Sequence, residues 1–171
     1  MKRFLAVMLL LGTSLAALAD GKIAVVNFEQ AILNTDAAQQ KIHELEEDAD
    51  YKANMNEAKK IQEEGTKLTE QYKKEGPTMS PQQQQELEGK IKEKQADLEH
   101  VGHKIQDAKK KLLGELMMGM KLQAMKAAQD IIDAEGIGLL LNASPQAQTV
   151  YHADTSFDIT AKVTDKLNKQ K

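Results

Sequence analysis

Glu75-Gly76-Pro77-Thr78-Met79-Ser80-Pro81 is a short break inside a long helical sequence pattern. Pro77 has no backbone N–H and clashes with a preceding helical turn, so a helix must end before it. Ser80 can cap the first free amides of a new helix, Pro81 suits the first helical position, and Gln83 stands where a capping box requires it. We therefore predict that residues 75–81 form the tip of a long antiparallel helical hairpin.

Residues 1–19 are predicted to be a secretory signal peptide and not part of the fold. Two basic residues are followed by an apolar run over residues 4–11, and Ala17-Leu18-Ala19 is a small-x-small site. Cleavage is expected near Ala19. The alternative is an N-terminal membrane anchor, which needs about 20 apolar residues. Gly12-Thr13-Ser14 interrupts this shorter segment, so the exported, soluble form is favoured.

The composition of the remaining chain excludes several classes of function. Removing Lys2 and Arg3 from the 23 basic residues leaves 21 lysines against 26 acidic residues, a net charge of −5 with no arginine. Because arginine forks are the usual ligands of phosphates and base edges, nucleic acid is not an expected partner. No cysteine is present, so the fold contains no disulfide. The lack of tryptophan favours long helices over a large core.

A strand and a long helix are predicted before the tip, and a second long helix is predicted after it. Residues 22–26 form a β-branched run typical of a strand, and Asn27 can cap the helical pattern that follows. The returning helix has an apolar seam with steps of four and three residues. Its positions are Leu87, Ile91, Lys94, Leu98, Val101, Ile105, Ala108 and Leu112. Because two helices alone bury little, residues 38–111 are predicted to project as a tentacle-like arm.

Residues 20–37 and 112–171 are predicted to form a β-rich trimerisation body. Apolar residues from Leu112 to Ile132 cover more of the helix circumference than a two-helix seam requires, so this end must be buried. Near the C-terminus, Asp158 can cap a short amphipathic helix with an apolar stripe.

Two further strands are predicted in the body. Residues 137–141 have the pattern of a buried strand, and residues 148–152 can pair with it after a turn at residues 142–145. Three short strands per chain leave open edges, so closure of the sheet by oligomerisation is expected.

No catalytic, cofactor-binding or metal-binding residue is predicted. His100 and His103 have a spacing that could hold a metal, but no third ligand accompanies them, and solvated histidines are favoured. Neither a glycine-rich phosphate loop nor a nucleophile with a fitting base is present. The sequence therefore does not predict an enzyme.

The methionines at positions 117, 118, 120 and 125 have two interpretations. Methionine fills irregular gaps in cores, which favours a packing role. It also lines adaptable surfaces that accept varied partners, which favours a binding role.

The order of these segments resembles the Skp (OmpH-like) family of periplasmic chaperones along the whole chain. The resemblance rests on the signal peptide followed by residues 22–27, on the charged hairpin and on residues 137–141. It also rests on Val150-Tyr151-His152 leading into Asp158-Ile159-Thr160-Ala161-Lys162-Val163, the sharpest match. It implies an α+β, mostly α fold, in which strands of three protomers form a small β-barrel body. A long antiparallel helical hairpin projects from this body in each protomer.

The resemblance also implies a function. It suggests an ATP-independent holdase of the periplasm, without a cofactor, which binds unfolded outer-membrane β-barrel proteins in the cavity between tentacles of a homotrimer. Candidate client contacts are the apolar residues of the arm nearest the body: Leu113, Leu116, Met117 and Met120. Candidate trimerisation residues lie on the strands: Ile23, Val25, Leu139, Leu140, Leu141 and Val150.

The charge of the arms departs from the strongly basic character of well-known family members. Residues 40–111 hold 14 lysines and 16 acidic residues, a net charge of −2. Contact with membranes or lipopolysaccharide is therefore expected to be weak. The alternative function is a structural coiled-coil adaptor or scaffold that binds one folded partner. The weak, interrupted seam favours the holdase, because it suits a deformable cavity better than a rigid rod.

Overall fold

The computed structural model describes residues 21–170, in which a long helical hairpin extends from a small mixed body. The predicted signal peptide lies outside the described residues. The strands are β1 (Lys22–Val26) and β2 (Ile137–Asn142). The helices are α1 (Phe28–Leu33), α2 (Asp36–Glu47), α3 (Ala49–Glu75), α4 (Pro81–Glu135) and α5 (Thr160–Lys169). Single 3₁₀ turns occupy Gly76–Thr78 and Thr155–Phe157.

The tip of the hairpin has the predicted caps. The Ser80 hydroxyl accepts from the Gln83 N–H at 3.3 Å, and the Gln83 side chain accepts from the Ser80 N–H at 3.0 Å. Gly76 is buried beside the ring of Tyr72. Its carbonyl accepts from the side chain of Gln84 at 2.6 Å. The tip is therefore a tightly bonded turn that fixes α3 and α4 antiparallel to each other.

The limb that leads to the tip is divided into three helices, whereas its sequence pattern appears continuous. The Thr35 hydroxyl accepts from the Ala38 N–H at 3.2 Å, and the Asp48 carboxylate accepts from the Tyr51 N–H at 2.9 Å. Each of these side chains caps a new helix, and both residues have extended backbone angles. The returning limb, α4, continues through 55 residues without a break.

The body packs α1, α5 and the end of α4 around one apolar core. Buried members of this core include Val26, Ile32, Ala127, Ile131 and Val163. Ala38, the first residue of the predicted arm, is the last buried core residue of the outgoing limb, and Leu116 is the first buried core residue of the returning limb. The C-terminal part of α4 was predicted to pack against a surface larger than its hairpin partner. Within one chain α1 and α5 cover one face of this part, so the prediction is met in part.

The sheet pairs β1 with β2 in parallel, which corrects the predicted hairpin between residues 137–141 and 148–152. Residues 143–154 form an irregular segment: Ala147 N–H donates to the Ser144 carbonyl in a turn, and Gln148 has a φ of 50°. The Thr149 hydroxyl donates to the Asn142 carbonyl at 2.7 Å. In a single chain β2 therefore pairs with β1, and not with residues 148–152. The predicted burial of the second strand is also wrong for one chain, because Leu139 is 48% exposed.

The start of α5 lies against β1 through backbone and side-chain bonds. Ile159 N–H donates to the Val25 carbonyl at 3.0 Å, and Asn27 N–H donates to the Thr160 hydroxyl at 2.9 Å. The buried Thr164 hydroxyl donates to the Ala31 carbonyl at 2.9 Å. The N-cap of α5 is Ile159, which makes no side-chain cap bond, and not the predicted Asp158; the Asp158 carboxylate accepts from the Thr160 N–H at 2.8 Å in the turn that precedes the helix. These bonds close the free side of β1 with the chain's own C-terminal segment.

Gly21, just before β1, and Gly138, the second residue of β2, approach so closely that glycine is required. A Cβ at Gly138 would lie 2.8 Å from the Gly21 Cα, a distance that backbone atoms cannot relieve without moving. We expect Gly138→Ala to lower the free energy of unfolding by about 1–3 kcal/mol, because it overpacks the sheet. Chemical denaturation measures the loss. The matched control is Gly89→Ala in α4, where a Cβ meets no atom of residues 21–170 within 4 Å, so stability should rise by up to about 1 kcal/mol. Equal stabilities of the two variants would contradict the parallel pairing.

Candidate client-binding and assembly surfaces

The arm is held by a thin apolar seam between α3 and α4. Tyr51 and Ile61 are buried on α3, and Leu87 and Val101 are buried on α4. Between these layers the predicted seam position Lys94 lies beside Glu64, with Nζ 2.9 Å from the carboxylate. This hydrogen bond lowers the pKa of the Glu64 carboxyl and raises the pKa of the Lys94 ammonium. The polar pair thus replaces an apolar contact in the middle of the arm.

The four candidate client contacts lie mostly inside the chain. Leu116 is buried, and Met117 and Met120 are half-buried against the core. The Thr35 hydroxyl contacts the Met120 Sδ at 3.9 Å. Leu113 lies in an open groove of about 320 Å³ between α2 and α4, together with Leu33, Leu45 and Tyr51. Packing within one chain accounts for most of these side chains, and their contact with a client stays a prediction.

A second apolar face of α4 is exposed, and it includes Met118 and Met125 of the methionine group for which the sequence left a packing role and a binding role open. Met118 is 86% exposed and Leu122 is 80% exposed, and Met125 is exposed with them. The spacing i, i+4, i+7 places these three residues on one face of the helix. Ala124, Ala127 and Ile131, on the opposite face, are in the core. We call Met118, Leu122 and Met125 the outer stripe. The sequence indicated apolar residues around most of this end of α4, but it did not separate the buried face from the exposed one.

The candidate trimerisation residues are divided between the two faces of the sheet. Ile23 and Leu139 are partners in the strand register and are both about half exposed, at 49% and 48%. Leu140 packs partly against the core, and Val25 is buried beside the bridge to Asp158. Leu141 pairs with Val25 and is half-buried. Val150 is half-buried in the irregular segment, next to the fully exposed Tyr151. The structure therefore brings Ile23 and Leu139 together on one outward apolar patch.

The surface of the arm is rich in lysines and carboxylates, and some of them form ion pairs. Lys41 lies 2.6 Å from Glu44, and Lys52 lies 2.6 Å from Glu47. His103 lies 3.7 Å from Glu99. Within residues 21–170, no group of three or more histidine, cysteine or acidic side chains is arranged to hold a metal ion. Exposed pairs of this kind contribute little to stability, so the arm depends on its seam.

Comparison with known proteins assigns the chain to a family. A family model described as "Outer membrane protein (OmpH-like)" matches residues 22–167, which include the body, both limbs and the tip. The chain belongs to the OmpH-like family. A Skp-like protein of Pseudomonas aeruginosa is 22% identical to this OmpH-like chain over 154 residues, which cover 90% of the chain and 88% of the relative. No solved structure matches the chain. Membership confirms the resemblance and suggests a periplasmic chaperone of outer-membrane proteins, in a family of chaperones and not of enzymes.

The segment that most resembled OmpH-like proteins in sequence has a clear structural role. Residues 158–160 bond to β1 and to Asn27, and Thr164 bonds to α1. The segment joins the C-terminal helix to the first strand, so its residue types are fixed by hydrogen bonding and burial. In the part of this OmpH-like chain that the structure describes, no helix is both long enough and apolar enough to cross a membrane.

Proposed function

We propose that this chain is the subunit of a homotrimeric, ATP-independent holdase of the periplasm, reached through a cleaved signal peptide at residues 1–19. Residues 20–37 and 112–171 form its body, and residues 38–111 form the tentacle. The strands of three copies close a small β-barrel, and the three arms surround an unfolded outer-membrane β-barrel protein. The client is held by contact and confinement, without a cofactor.

The observation that carries this proposal is the division between body and arm. The core of the body contains no residue from positions 40–110, so the arm adds no buried surface to it. An arm that does not stabilise its own domain is best explained by contact with another molecule. The thin seam and the Lys94–Glu64 pair suit a deformable cavity wall.

The apolar surface left by one chain supports assembly. Ile23 and Leu139 project from the outward face of the sheet, and one edge of β2 has no strand partner within the described residues. The outer stripe adds a second exposed apolar region on α4. We expect another copy of the chain to cover the exposed aliphatic residues of the sheet, since large contiguous apolar patches mark interaction sites.

An aggregation assay with several unrelated outer-membrane barrel proteins, diluted from denaturant, tests the proposal. Suppression of aggregation across these clients is the expected result. Sedimentation of the mature protein should give a trimer. Binding of one folded partner, with no protection of unfolded clients, would instead favour the adaptor.

Salt is expected to change the holdase activity only slightly. The arms are nearly neutral, and Lys41, Lys52, Lys60 and Lys94 each lie within 4.0 Å of a carboxylate. Because salt screens only the charged part of the attraction, raising ionic strength from low to physiological should change client affinity by no more than about twofold. A fluorescence titration of labelled client at several salt concentrations measures this. A steep loss of binding with salt would show that the Lys73-Lys74 or Lys109-Lys110-Lys111 patches dominate capture.

A further inference from the structure

Methionine is the only sulfur-containing residue type in this chain, because the sequence has no cysteine. Two of the eight methionines, at positions 1 and 8, belong to the predicted signal peptide, and the other six lie in the described residues. Exported proteins work in oxidising compartments. Without a thiol to react first, a two-electron oxidant that reaches this protein meets methionine thioethers. The exposure of each methionine therefore decides which one reacts.

The six methionines differ widely in exposure. On the outer stripe, Met118 is 86% exposed and Met125 is 52% exposed. Met55, on α3, is 45% exposed. The others are half-buried: Met79, Met117 and Met120. Met117 and Met118 are neighbours in the sequence, yet Met117 packs against the core and Met118 projects away from it.

The surroundings of the outer stripe leave its sulfur atoms open to small molecules. Gly114 and Gly119 adjoin Met118 on the helix, and a Cβ at either position would have open space around it within residues 21–170. The centre of the stripe, Leu122, lies roughly 22 Å along the helix from the start of β2, at about 1.5 Å per residue. Assembly through the sheet therefore does not need to cover the stripe.

We propose that Met118 and Met125 are oxidation sites, at which a peroxide turns the outer stripe from an apolar surface into a polar one. Hydrogen peroxide transfers one oxygen atom to the thioether sulfur and leaves as water, and the sulfur loses two electrons. The product, methionine sulfoxide, is polar and can be reduced again by a sulfoxide reductase. Neither methionine belongs to the core, so the chain stays folded. On the proposed function, the oxidised stripe binds apolar segments of an unfolded client less tightly.

Peptide mapping by mass spectrometry, after brief treatment of the full protein with hydrogen peroxide, tests the sites. Because susceptibility follows exposure, Met118 and Met125 are expected to react roughly fivefold faster than Met117 and Met120. Met117 is an internal reference, since it lies beside Met118 in the same peptide. Equal rates at these two neighbours would overturn the proposal, because the stripe would then be covered in the assembled protein.

A sulfur-free stripe tests the consequence. Met118→Leu with Met125→Leu keeps the stripe apolar and similar in volume. Peroxide is removed before client is added. Treated wild type should then protect an outer-membrane client several-fold less than untreated wild type, and the double variant should keep its activity. Incubation with methionine sulfoxide reductase should restore the wild type.

The matched control is Met55→Leu, which removes an exposed sulfur from the arm and should remain as sensitive to peroxide as the wild type. Circular dichroism before and after treatment checks that each protein stays helical. Equal loss of activity in the double variant and the wild type would contradict the role of the stripe. The order of oxidation is read without a client. An untreated wild type that fails to suppress aggregation would therefore refute the proposed function and leave the assignment of the oxidation sites intact.

Discussion

Replacing residues 40–110 with a short flexible linker is expected to leave a folded, trimeric body that has lost nearly all holdase activity. The core of the body ends at Ala38 and resumes with Leu112 and Leu116, so the deletion removes no core side chain. The linker adds only a modest loop-closure cost. Sedimentation, circular dichroism and the aggregation assay together measure assembly, folding and activity.

The comparison variant retains the arm but shortens it. Removing matched turns from α3 and α4 on both sides of the tip should give an intermediate activity, because part of the cavity wall remains. If the armless body were monomeric, assembly would depend on the tentacles. If it were still active, the client would bind to the body. Either result would contradict the proposed division of labour.

The double change Ile23→Asp with Leu139→Asp is expected to dissociate the oligomer while each chain stays folded. Both side chains project from the outward face of the sheet and are about half exposed in one chain. Fully burying an aliphatic side chain of this size is worth about 1.5–3 kcal/mol, and because one chain already covers about half of each side chain, roughly half of this value per residue is lost in every copy. Placing unpaired carboxylates at that interface adds a further penalty. Dissociation should appear in sedimentation at micromolar concentrations.

Leu140→Asp is the matched control on the opposite face. Leu140 packs against the core beside Ala24, so a carboxylate there should unfold the body and not merely separate the subunits. Thermal denaturation distinguishes the two outcomes. A trimer that survives Ile23→Asp with Leu139→Asp would show that another surface, such as the outer stripe, holds the copies together.

The hairpin could be predicted from sequence because its signals are local. Pro77, Ser80, Pro81 and Gln83 act within one turn of the chain, and their capping bonds form as expected. Residues 22–26 and 137–141 were also recognised as strands, since β-branched and aliphatic runs bounded by Asn27 and Gly136 are local features. Gly136 ends α4 with a left-handed φ of 67°, which glycine adopts most readily.

The strand pairing could not be predicted, because it depends on contacts between distant residues. Ala24 pairs with Leu140 across the whole length of the arm, and a local turn after Asn142 appeared to offer a simpler partner. Likewise, the helix breaks at Thr35 and Asp48 could not be predicted. Threonine and aspartate also occur within helices, so the residue type alone does not show that a new helix begins there. The burial of Leu116 and the partial burial of Met117 and Met120 depend on which face of α4 meets the body core, and Leu113 lies in the groove beside α2. The apolar pattern alone did not distinguish that face from the outer stripe.

The two limbs of the hairpin differ in how they can change length. α4 runs unbroken from Pro81 to Glu135, about 80 Å at about 1.5 Å per residue, and only Gly136 separates it from β2. Because the tip bonds tie the limbs together, any curvature of the arm requires one limb to slide along the other. The unbroken helix cannot shorten, so the displacement must be taken up at the caps of Thr35 and Asp48. Asp36 N–H donates to the Asn168 side chain of α5 at 3.0 Å, and therefore sliding of this limb pulls directly on the C-terminal helix.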